Sequence, residues 1–393
     1  MENIHSLYLH VPFCQKRCSY CDFNTFSGMN HLIPAYVNQL RNEINHYGQV
    51  FSKKTPIKTI FFGGGTPSLL TIDQYRMLFE EIDKQFNVLP DAEISLEANP
   101  GTVSLPYLEN LSHVGFNRIS FGLQTSNPHQ LQILGRIHDH YESIQAIKWA
   151  KQAGFKNINL DLIYGLPGQT LEDWKKNLED CIRLSTQHFS LYALSIEENT
   201  PLYDWVNKGL LENPDPDLAA EMYELADEML QNHGFDCYEI SNYSKISKDE
   251  DWRCQHNLQY WRNGFYLGLG AGAHGYINNI RYENVSGIGE YINSMSGETN
   301  PGQFMSPVVK SMTEIDQFTA MQEMMMLGLR LVNEGVPIQK FLDRFGKSPV
   351  DVFRKELDYL LKSELIVIID NDRIRLTKKA RLLVNIAFQQ FVN

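Results

Sequence analysis

Long apolar runs and an excess of positive charge are both missing from this sequence. No uninterrupted apolar stretch approaches the ~18 residues that a bilayer-spanning helix needs. The opening residues, MENIHSLYLHVPF, lack the basic region and the cleavage site of a secretory signal. Acidic side chains outnumber basic ones by 47 to 35, and the net charge of −12 argues against a general nucleic-acid binder. We therefore expect a cytoplasmic protein, with peripheral contact at a membrane left open.

Cysteine is scarce and unevenly spread. There are six cysteines in 393 residues, and Cys14, Cys18 and Cys21 lie close together while Cys181, Cys237 and Cys254 are scattered. A disulfide framework is not expected in a large chain without an export signal. The three neighbouring thiols therefore indicate metal ligands or redox groups in a reducing compartment.

Six β-rich runs alternate with helix-period stretches over the first 200 residues. Such alternation predicts a parallel sheet covered by helices, either an open doubly wound sheet or a full or partial (β/α) barrel. Ligands of both folds gather at the carboxyl ends of the strands. The runs are SLYLHV (6–11), TIFFGGG (59–65), EISLEANP (93–100), RISFGLQ (118–124), INLDLIYG (158–165) and FSLYALSI (189–196).

The pattern changes in the second half of the chain, and we predict three domains. Residues 1–235 form the barrel core, 236–309 a connecting segment, and 310–393 a C-terminal helical, winged-helix-like domain that ends in the strand pair LIVIID and RIRLT. Residues 336–393 carry eleven basic and seven acidic side chains. We interpret this bias as a solvated face rather than a site for nucleic acid or an anionic membrane.

The close cysteines have the spacing C-x3-C-x2-C directly after the first strand. Structural zinc requires four ligands, and this loop supplies three, with His10 the nearest other candidate. Three thiolates fit an iron–sulfur cube whose fourth iron is open to an external ligand. Zinc with a distant fourth ligand is the alternative interpretation.

A glycine-rich run, Gly63-Gly64-Gly65-Thr66-Pro67-Ser68, follows the second strand. Glycine permits positive φ and a close approach of the backbone to a ligand. The run lacks the G-K-[ST] of a phosphate loop, which disfavours a nucleoside triphosphate. A simple tight turn between strand and helix is the alternative.

Together these two motifs resemble the radical S-adenosylmethionine superfamily. The segments SLYLHVPFC, FFGGGTPS, LEANPG, NRISFGLQ, LGRIH, LDLIYGLPGQT and YEISNY narrow the resemblance to its coproporphyrinogen III oxidase-like branch, over nearly the whole chain. The resemblance implies a partial (β/α)6 barrel with a C-terminal winged-helix-like domain. It also implies a [4Fe-4S] cluster on Cys14, Cys18 and Cys21, whose open iron binds S-adenosylmethionine, and a reduced electron donor.

The same resemblance assigns further site residues. Tyr8 would pack beside the cluster, and Glu97 would bind S-adenosylmethionine, since a carboxylate accepts from ribose hydroxyls or an ammonium group. Arg136 would pair with the methionine carboxylate. The remaining contacts to one or two S-adenosylmethionine molecules would come from Gly64, Gly65, Thr66, Gln124 and Asp161.

Two kinds of protein in this branch differ at two places in the sequence. The oxidase motif has an additional cysteine two residues after the third, where this chain has Phe23. The run from His256 to Trp261, H-N-x-x-Y-W, resembles the HemW-type heme chaperones. The resemblance thus implies a protein that binds heme and delivers it to heme-accepting apoproteins. The alternative is an oxygen-independent oxidase that decarboxylates two propionates of coproporphyrinogen III.

His256 is the heme ligand that this resemblance implies. Histidine is a common axial ligand of heme, and Tyr and Trp offer flat apolar surface. A histidine among aromatic residues also fits a hydrogen-bonded core position, and Cys254 and His274 are weaker alternative ligands. Monomer and dimer are both left open.

Overall fold

The structure, a computed structural model, describes residues 4–51, 55–295 and 303–392. Its strands are β1 (Ser6–Val11), β2 (Phe13–Cys14), β3 (Phe26–Ser27), β4 (Pro56–Gly64), β5 (Asn87–Ala98), β6 (Arg118–Gln124), β7 (Asn157–Tyr164), β8 (His188–Ala193), β9 (Phe235–Glu239), β10 (Asn242–Lys245), β11 (Tyr266–Leu269), β12 (His274–Ile277), β13 (Ile280–Asn284), β14 (Val309–Glu314), β15 (Val336–Pro337), β16 (Ile366–Ile369) and β17 (Arg373–Leu376).

Its helices are α1 (Ile33–Val50), α2 (Ile72–Gln85), α3 (Leu105–Val114), α4 (Pro128–Ile133), α5 (His140–Gln152), α6 (Leu171–Arg183), α7 (Pro201–Asn207), α8 (Pro216–Asn232), α9 (Gln255–Trp261), α10 (Ile288–Ser294), α11 (Gln317–Leu329), α12 (Ile338–Phe345), α13 (Pro349–Val352), α14 (Arg354–Lys362) and α15 (Val384–Gln389). Among the described residues, no helix is both long enough and apolar enough to span a bilayer.

The six predicted runs form six adjacent parallel strands, in the order β1-β4-β5-β6-β7-β8. This arrangement confirms the partial (β/α)6 barrel. The sheet does not close: β11 adds in parallel beside β1 and continues antiparallel through β12, β13 and β14, while β10 and β9 extend the far side. The sheet therefore has twelve strands, and the carboxyl ends of its parallel strands, β11, β1 and β4 to β8, face one side.

Short connections bring the chain from a strand end into the next covering helix. Helices α2, α5 and α6 each begin with a capping box, in which the cap residue and the third helical residue exchange hydrogen bonds. The cap residues are Thr71, Asp139 and Thr170. Each box fixes where its helix starts, so the preceding loop is held near the strand end, where the candidate site residues lie.

A second apolar core lies in the C-terminal region, built around Phe341, Leu360 and Ile374. The predicted strand pair is present as β16 and β17, which pair with β15 in a small antiparallel sheet. Together with the surrounding helices this sheet gives the winged-helix-like domain that the sequence predicted. The boundaries at 235/236 and 309/310 stay predictions.

Candidate functional site

The three neighbouring cysteines lie in the loop between β1 and α1. Cys14 is buried at the end of β2, whereas Cys18 and Cys21 are half-exposed, and all three thiols are free. Burial raises the pKa of Cys14, and the nearby Cys21 and Cys18 raise it further. The loop therefore presents three thiols within electrostatic reach of one another.

Polar side chains lie beside each thiol, and two of them come from outside the cysteine loop. The Thr66 hydroxyl donates to Cys14 Sγ at 3.6 Å, and Arg136 Nη1 donates to Cys18 Sγ at 3.2 Å. Cys21 Sγ lies 3.7 Å from the hydroxyl of Thr25. The glycine-rich turn after β4 and the segment after α4 thus reach the cysteine loop, and the S-adenosylmethionine contacts of Thr66 and Arg136 stay predictions.

Asn24 fastens the far end of the cysteine loop to the rest of the sheet. Its side-chain amide donates to the carbonyl oxygens of Ala271 and Ser286 at 3.1 and 3.0 Å. Its own carbonyl oxygen accepts from His10 Nε2 at 2.9 Å. His10 Nδ1 consequently accepts from the Tyr8 hydroxyl at 2.9 Å. Both ring nitrogens of His10 are thus occupied by protein groups.

The glycine-rich turn packs directly on the cysteine loop. Gly64 has a φ of 115°, and a Cβ there would lie 2.6 Å from the His10 ring. A Cβ on Gly65 would lie 2.7 Å from the Phe13 carbonyl oxygen and 3.0 Å from Cys14 Sγ. Real Cβ atoms do not approach so closely, so a side chain at either position would push the turn away from the thiols.

Glu97 lies at the carboxyl end of β5, and Asp161 lies within the carboxyl half of β7. Glu97 Oε2 accepts the backbone N–H of Gly64 at 3.0 Å. Asp161 accepts from the Ser120 hydroxyl at 2.7 Å and from the Asn159 amide at 2.8 Å. Burial raises the pKa of both carboxyls, that of Glu97 to about 8 with Asp161 adding to the rise. A cationic or hydroxyl-bearing ligand between them would favour their ionised forms.

Gln124 and Arg136 converge on Gly122 near the end of β6. Gln124 has a φ of 68°, and a Cβ on Gly122 would lie 3.0 Å from its amide nitrogen and 3.1 Å from Arg136 Nη2. Arg136 Nη2 donates to the Gly122 carbonyl oxygen at 2.6 Å, and its Nε has no partner among the described residues. Arg136 therefore links the strand end to the cysteine loop.

A cavity of about 210 Å³ lies inside the barrel beside these carboxylates. Polar and aromatic side chains share its walls, from six strands of the sheet and from α9. The lining residues are Tyr8, Phe61, Glu97, Arg118, Ser120, Asn159, Asp161, Ser190, Tyr192, His256, Asn257 and Tyr260. The structure thus brings the predicted S-adenosylmethionine residues Tyr8, Glu97 and Asp161 next to the predicted heme residue His256.

His256 is buried, and both of its ring nitrogens have partners. The Thr59 hydroxyl donates to Ser6, so His256 Nδ1 donates to Thr59 Oγ1 at 2.8 Å, and Nε2 accepts from the Tyr260 hydroxyl at 2.9 Å. Burial and the positive charge of Arg118 lower the pKa of His256 to about 3. The ring is therefore neutral, and its Nε2 lone pair is engaged by Tyr260 alone.

The other residues of the H-N-x-x-Y-W run and the alternative heme ligands occupy different surroundings. Trp261 packs under Arg330, whose guanidinium carbon lies 4.3 Å from the ring centroid. Cys254 is fully buried and its thiol donates to Glu93 at 3.6 Å, whereas His274 is exposed on β12. Among these candidates, His256 shares the barrel cavity and Cys254 and His274 do not.

Sequence reasoning missed three polar residues that shape this site: Asn24, Glu93 and Arg118. Glu93 accepts the N–H groups of Gln255 and His256 at 3.0 Å each, which fixes the start of α9. Arg118 lies at the first position of the buried strand β6. A charged residue opening an apolar run was the available signal for Arg118, whereas nothing local marks the partners of Asn24 and Glu93.

The cysteine loop fits an iron–sulfur cluster on the chemistry of its donors. It offers three free thiols, backbone with no Cβ in the way at Gly65, and a guanidinium that donates to one thiol. Within the described part of the chain, no group of three or more His, Cys, Asp or Glu side chains is close enough together to hold one metal ion.

Comparison with known proteins gives consistent matches. A model of the radical SAM superfamily matches residues 8–181, and one of the HemN C-terminal domain matches residues 315–383. The chain is 36% identical to heme chaperone HemW of Bacillus subtilis, over 98% of this chain and 99% of that protein. It is 33% identical to heme chaperone HemW of Escherichia coli, over 98% of each.

The solved structure of coproporphyrinogen III oxidase (HemN) from Escherichia coli also superimposes on this one. The TM-score is 0.84, at 23% sequence identity, over 99% of this chain and 90% of that chain. At this level of identity the match establishes the fold.

Proposed function

Since the chain belongs to the HemW heme chaperone family, within the radical SAM superfamily, we propose that it binds heme and delivers it to heme-accepting apoproteins. The observation that carries the proposal is full-length similarity to HemW proteins, combined with Phe23 where an oxidase would have a cysteine. Phe23 carries no thiol, so the loop has no fourth cysteine at this position, and its side chain is exposed, with 64% of its surface accessible.

Cys14, Cys18 and Cys21 would hold a [4Fe-4S] cluster, with S-adenosylmethionine as the second cofactor. When bound, such a cluster offers an open iron to an external ligand and one electron for reductive chemistry. The loop supports this assignment because Thr66 and Arg136 donate to two of the thiols, and such donors stabilise thiolates. A reduced electron donor would complete the set of partners.

The strand ends supply the groups that S-adenosylmethionine requires. Glu97 and Asp161 present carboxyl oxygens to its ribose hydroxyls or ammonium group, and Arg136 presents a guanidinium to its carboxylate. The turn at Gly64, Gly65 and Thr66 permits close approach, Gln124 lies at the end of β6, and Tyr8 lies within β1. We expect the ligand to lie along the carboxyl ends of β4 to β7.

His256 would contact heme through Nε2. The ring is neutral and holds its proton on Nδ1, so Nε2 has the lone pair that an iron ligand needs. Ligation would replace the hydrogen bond from the Tyr260 hydroxyl at 2.9 Å. In this function the protein works in the cytoplasm and also at a membrane surface.

A heme titration of wild type and His256→Ala tests the proposal, under anaerobic conditions and after cluster reconstitution. His188→Ala is the matched control, because His188 is also buried with both ring nitrogens hydrogen-bonded, to Asn159 and Tyr238. We expect wild type and His188→Ala to show the heme absorbance change and His256→Ala to lose at least tenfold in affinity. If wild type does not bind heme, the proposed function is wrong; if both variants weaken equally, His256 is structural.

A further inference from the structure

Arg118 is a buried cation with an unsatisfied hydrogen-bond donor. The residue is 2% exposed, and its Nε is buried with no hydrogen-bond partner among the described residues. Buried donors without partners are rare, and leaving one unsatisfied costs about 1–3 kcal/mol, more when the group is charged. A guanidinium in this state calls for a ligand that the protein itself does not provide.

The carboxylates nearest to Arg118 are engaged elsewhere. Both oxygens of Glu93 accept N–H groups at the start of α9. Both oxygens of Asp161 accept from Ser120 and Asn159. These carboxylates attract the positive charge of Arg118 electrostatically, but neither accepts a hydrogen bond from the N–H groups of Arg118.

Arg118 lines the barrel cavity, on the wall shared with Asn159 and Ser190. The lining also includes aromatic side chains, among them Phe61 and Tyr260. A cavity of about 210 Å³ is below the ~300–1,000 Å³ of sites that enclose a whole drug-sized ligand. At this size it holds one polar arm of a larger molecule, and ligation of a heme iron by His256, which lines the same cavity, would require the cavity to widen.

A carboxylate is the group that matches these donors. The planar guanidinium donates two parallel N–H groups to the two oxygens of a carboxylate, and such charged pairs are the strong hydrogen bonds of buried sites. Water would satisfy the donors but, being neutral, would not form a charged pair with the guanidinium. Arg136, the cation expected to hold the carboxylate of S-adenosylmethionine, is a separate residue at the cysteine loop.

We propose that Arg118 binds one propionate of the heme that this protein carries. The inference rests on the proposed function and extends it by assigning a second contact point for heme, distinct from its iron. In this arrangement the propionate enters the cavity, and the guanidinium provides both its charge balance and its orientation.

The test compares heme with heme dimethyl ester, which lacks free carboxylates, on anaerobic full-length protein. We expect wild type to bind heme at least tenfold more tightly than the ester. Arg118→Gln should bind both equally, at the affinity of wild type for the ester. Arg281→Gln is the control, because Arg281 is already paired with Glu323 at 2.9 Å on the surface. Denaturant unfolding of each variant checks that the fold persists.

Three outcomes decide the proposal. Equal binding of heme and ester by wild type would overturn it without any variant, and would leave heme binding itself intact. A loss of S-adenosylmethionine affinity in Arg118→Gln, with heme binding unchanged, would assign the site to the methionine carboxylate and also overturn it. Failure of wild type to bind either porphyrin would instead count against the proposed function.

Discussion

The cysteine loop (residues 14–24) and helix α9 (Gln255–Trp261) carry the two motifs that pointed to function, and they are built in opposite ways. In the loop, side-chain hydroxyls and one guanidinium lie beside the thiols, and Cys18 and Cys21 are half-exposed. In the helix, His256 uses both ring nitrogens and Glu93 holds the first N–H groups. The thiols of the loop are free to ligate a metal, whereas both ring nitrogens of His256 in the helix are already hydrogen-bonded.

This difference determines what the iron–sulfur cluster and the heme each have to displace when they bind. A cluster can occupy the loop without breaking any backbone ladder, because the thiols are held there by contacts that tolerate a bound group. Heme at α9 has to displace the Tyr260 hydroxyl from His256. Cluster binding should therefore depend on the thiols and their close packing, and heme binding on how firmly α9 is held.

The largest expected effect is the loss of a loop thiol. Cys18→Ala should abolish the iron–sulfur cluster, so that iron after anaerobic reconstitution falls from about four per chain to near zero. Cys237→Ala is the control, since Cys237 is a free cysteine buried in the barrel core, where burial raises its pKa to about 12. Iron and sulfide analysis with the cluster absorbance checks both; a stoichiometric zinc ion in wild type would contradict the assignment.

A smaller loss of iron is expected when a side chain is added where the glycine-rich turn packs on the cysteine loop. Gly65→Ala places a Cβ 2.7 Å from the Phe13 carbonyl oxygen and 3.0 Å from Cys14 Sγ, a steric conflict that costs about 1–3 kcal/mol. The variant should fold but retain less iron than wild type. Gly289→Ala, which has nothing within 4 Å of the added methyl, should retain all of it. Equal iron content in the two variants would show that the close approach is unimportant.

Loosening α9 should weaken the fold without touching the cluster. Glu93→Gln removes a buried carboxylate that accepts two backbone N–H groups, and should lower the free energy of unfolding by about 1.5–3 kcal/mol. Asp251→Asn, at a more exposed carboxylate beside the same helix, should change it by less than about 1 kcal/mol. Urea unfolding measures both, and a loss of iron in Glu93→Gln would contradict the independence of the two regions.

The last expected effect is a dependence of folding stability on pH, caused by a buried carboxyl close to the segment that holds Asn24. Glu43 accepts from the N–H of Gly270, next to the carbonyl that Asn24 uses, and burial raises the pKa of Glu43 from 4.5 to about 7. Between those values the folded protein keeps a proton that the unfolded chain releases, so its stability falls as pH rises and levels off above about 7.

Glu43→Gln should remove this slope, on the order of 1 kcal/mol per pH unit. Urea unfolding of wild type and variant at pH 5, 6 and 7 checks it. Parallel curves for the two proteins would mean that Glu43 is ionised in the folded state.

The sequence predicted the parts of the molecule that local pattern determines. The six barrel strands, the strand pair at 366–376 and the three-thiol loop all depend on residues close together in the chain. The continuation of the sheet through β11 to β14 was missed, because the parallel pairing of β11 with β1 joins segments about 260 residues apart and no short-range pattern signals it.

The surroundings of His256 were unpredictable for the same reason. Its partner Thr59 lies 197 residues away, so the sequence alone favoured a hydrogen-bonded core residue, and the family resemblance was needed to make a heme ligand an equal interpretation. Arg118 was visible as a charge at the head of a buried strand, but its unsatisfied Nε emerges only when every neighbouring acceptor is located in space.

Heme transfer tests the central claim most directly. Anaerobically reconstituted protein is loaded with one equivalent of heme and mixed with an apo-hemoprotein, and the same preparation is supplied with coproporphyrinogen III, S-adenosylmethionine and a reductant. We predict that the heme spectrum moves to the acceptor and that no propionate is lost from coproporphyrinogen III. Decarboxylation of the porphyrinogen, with no heme bound or transferred, would contradict the account.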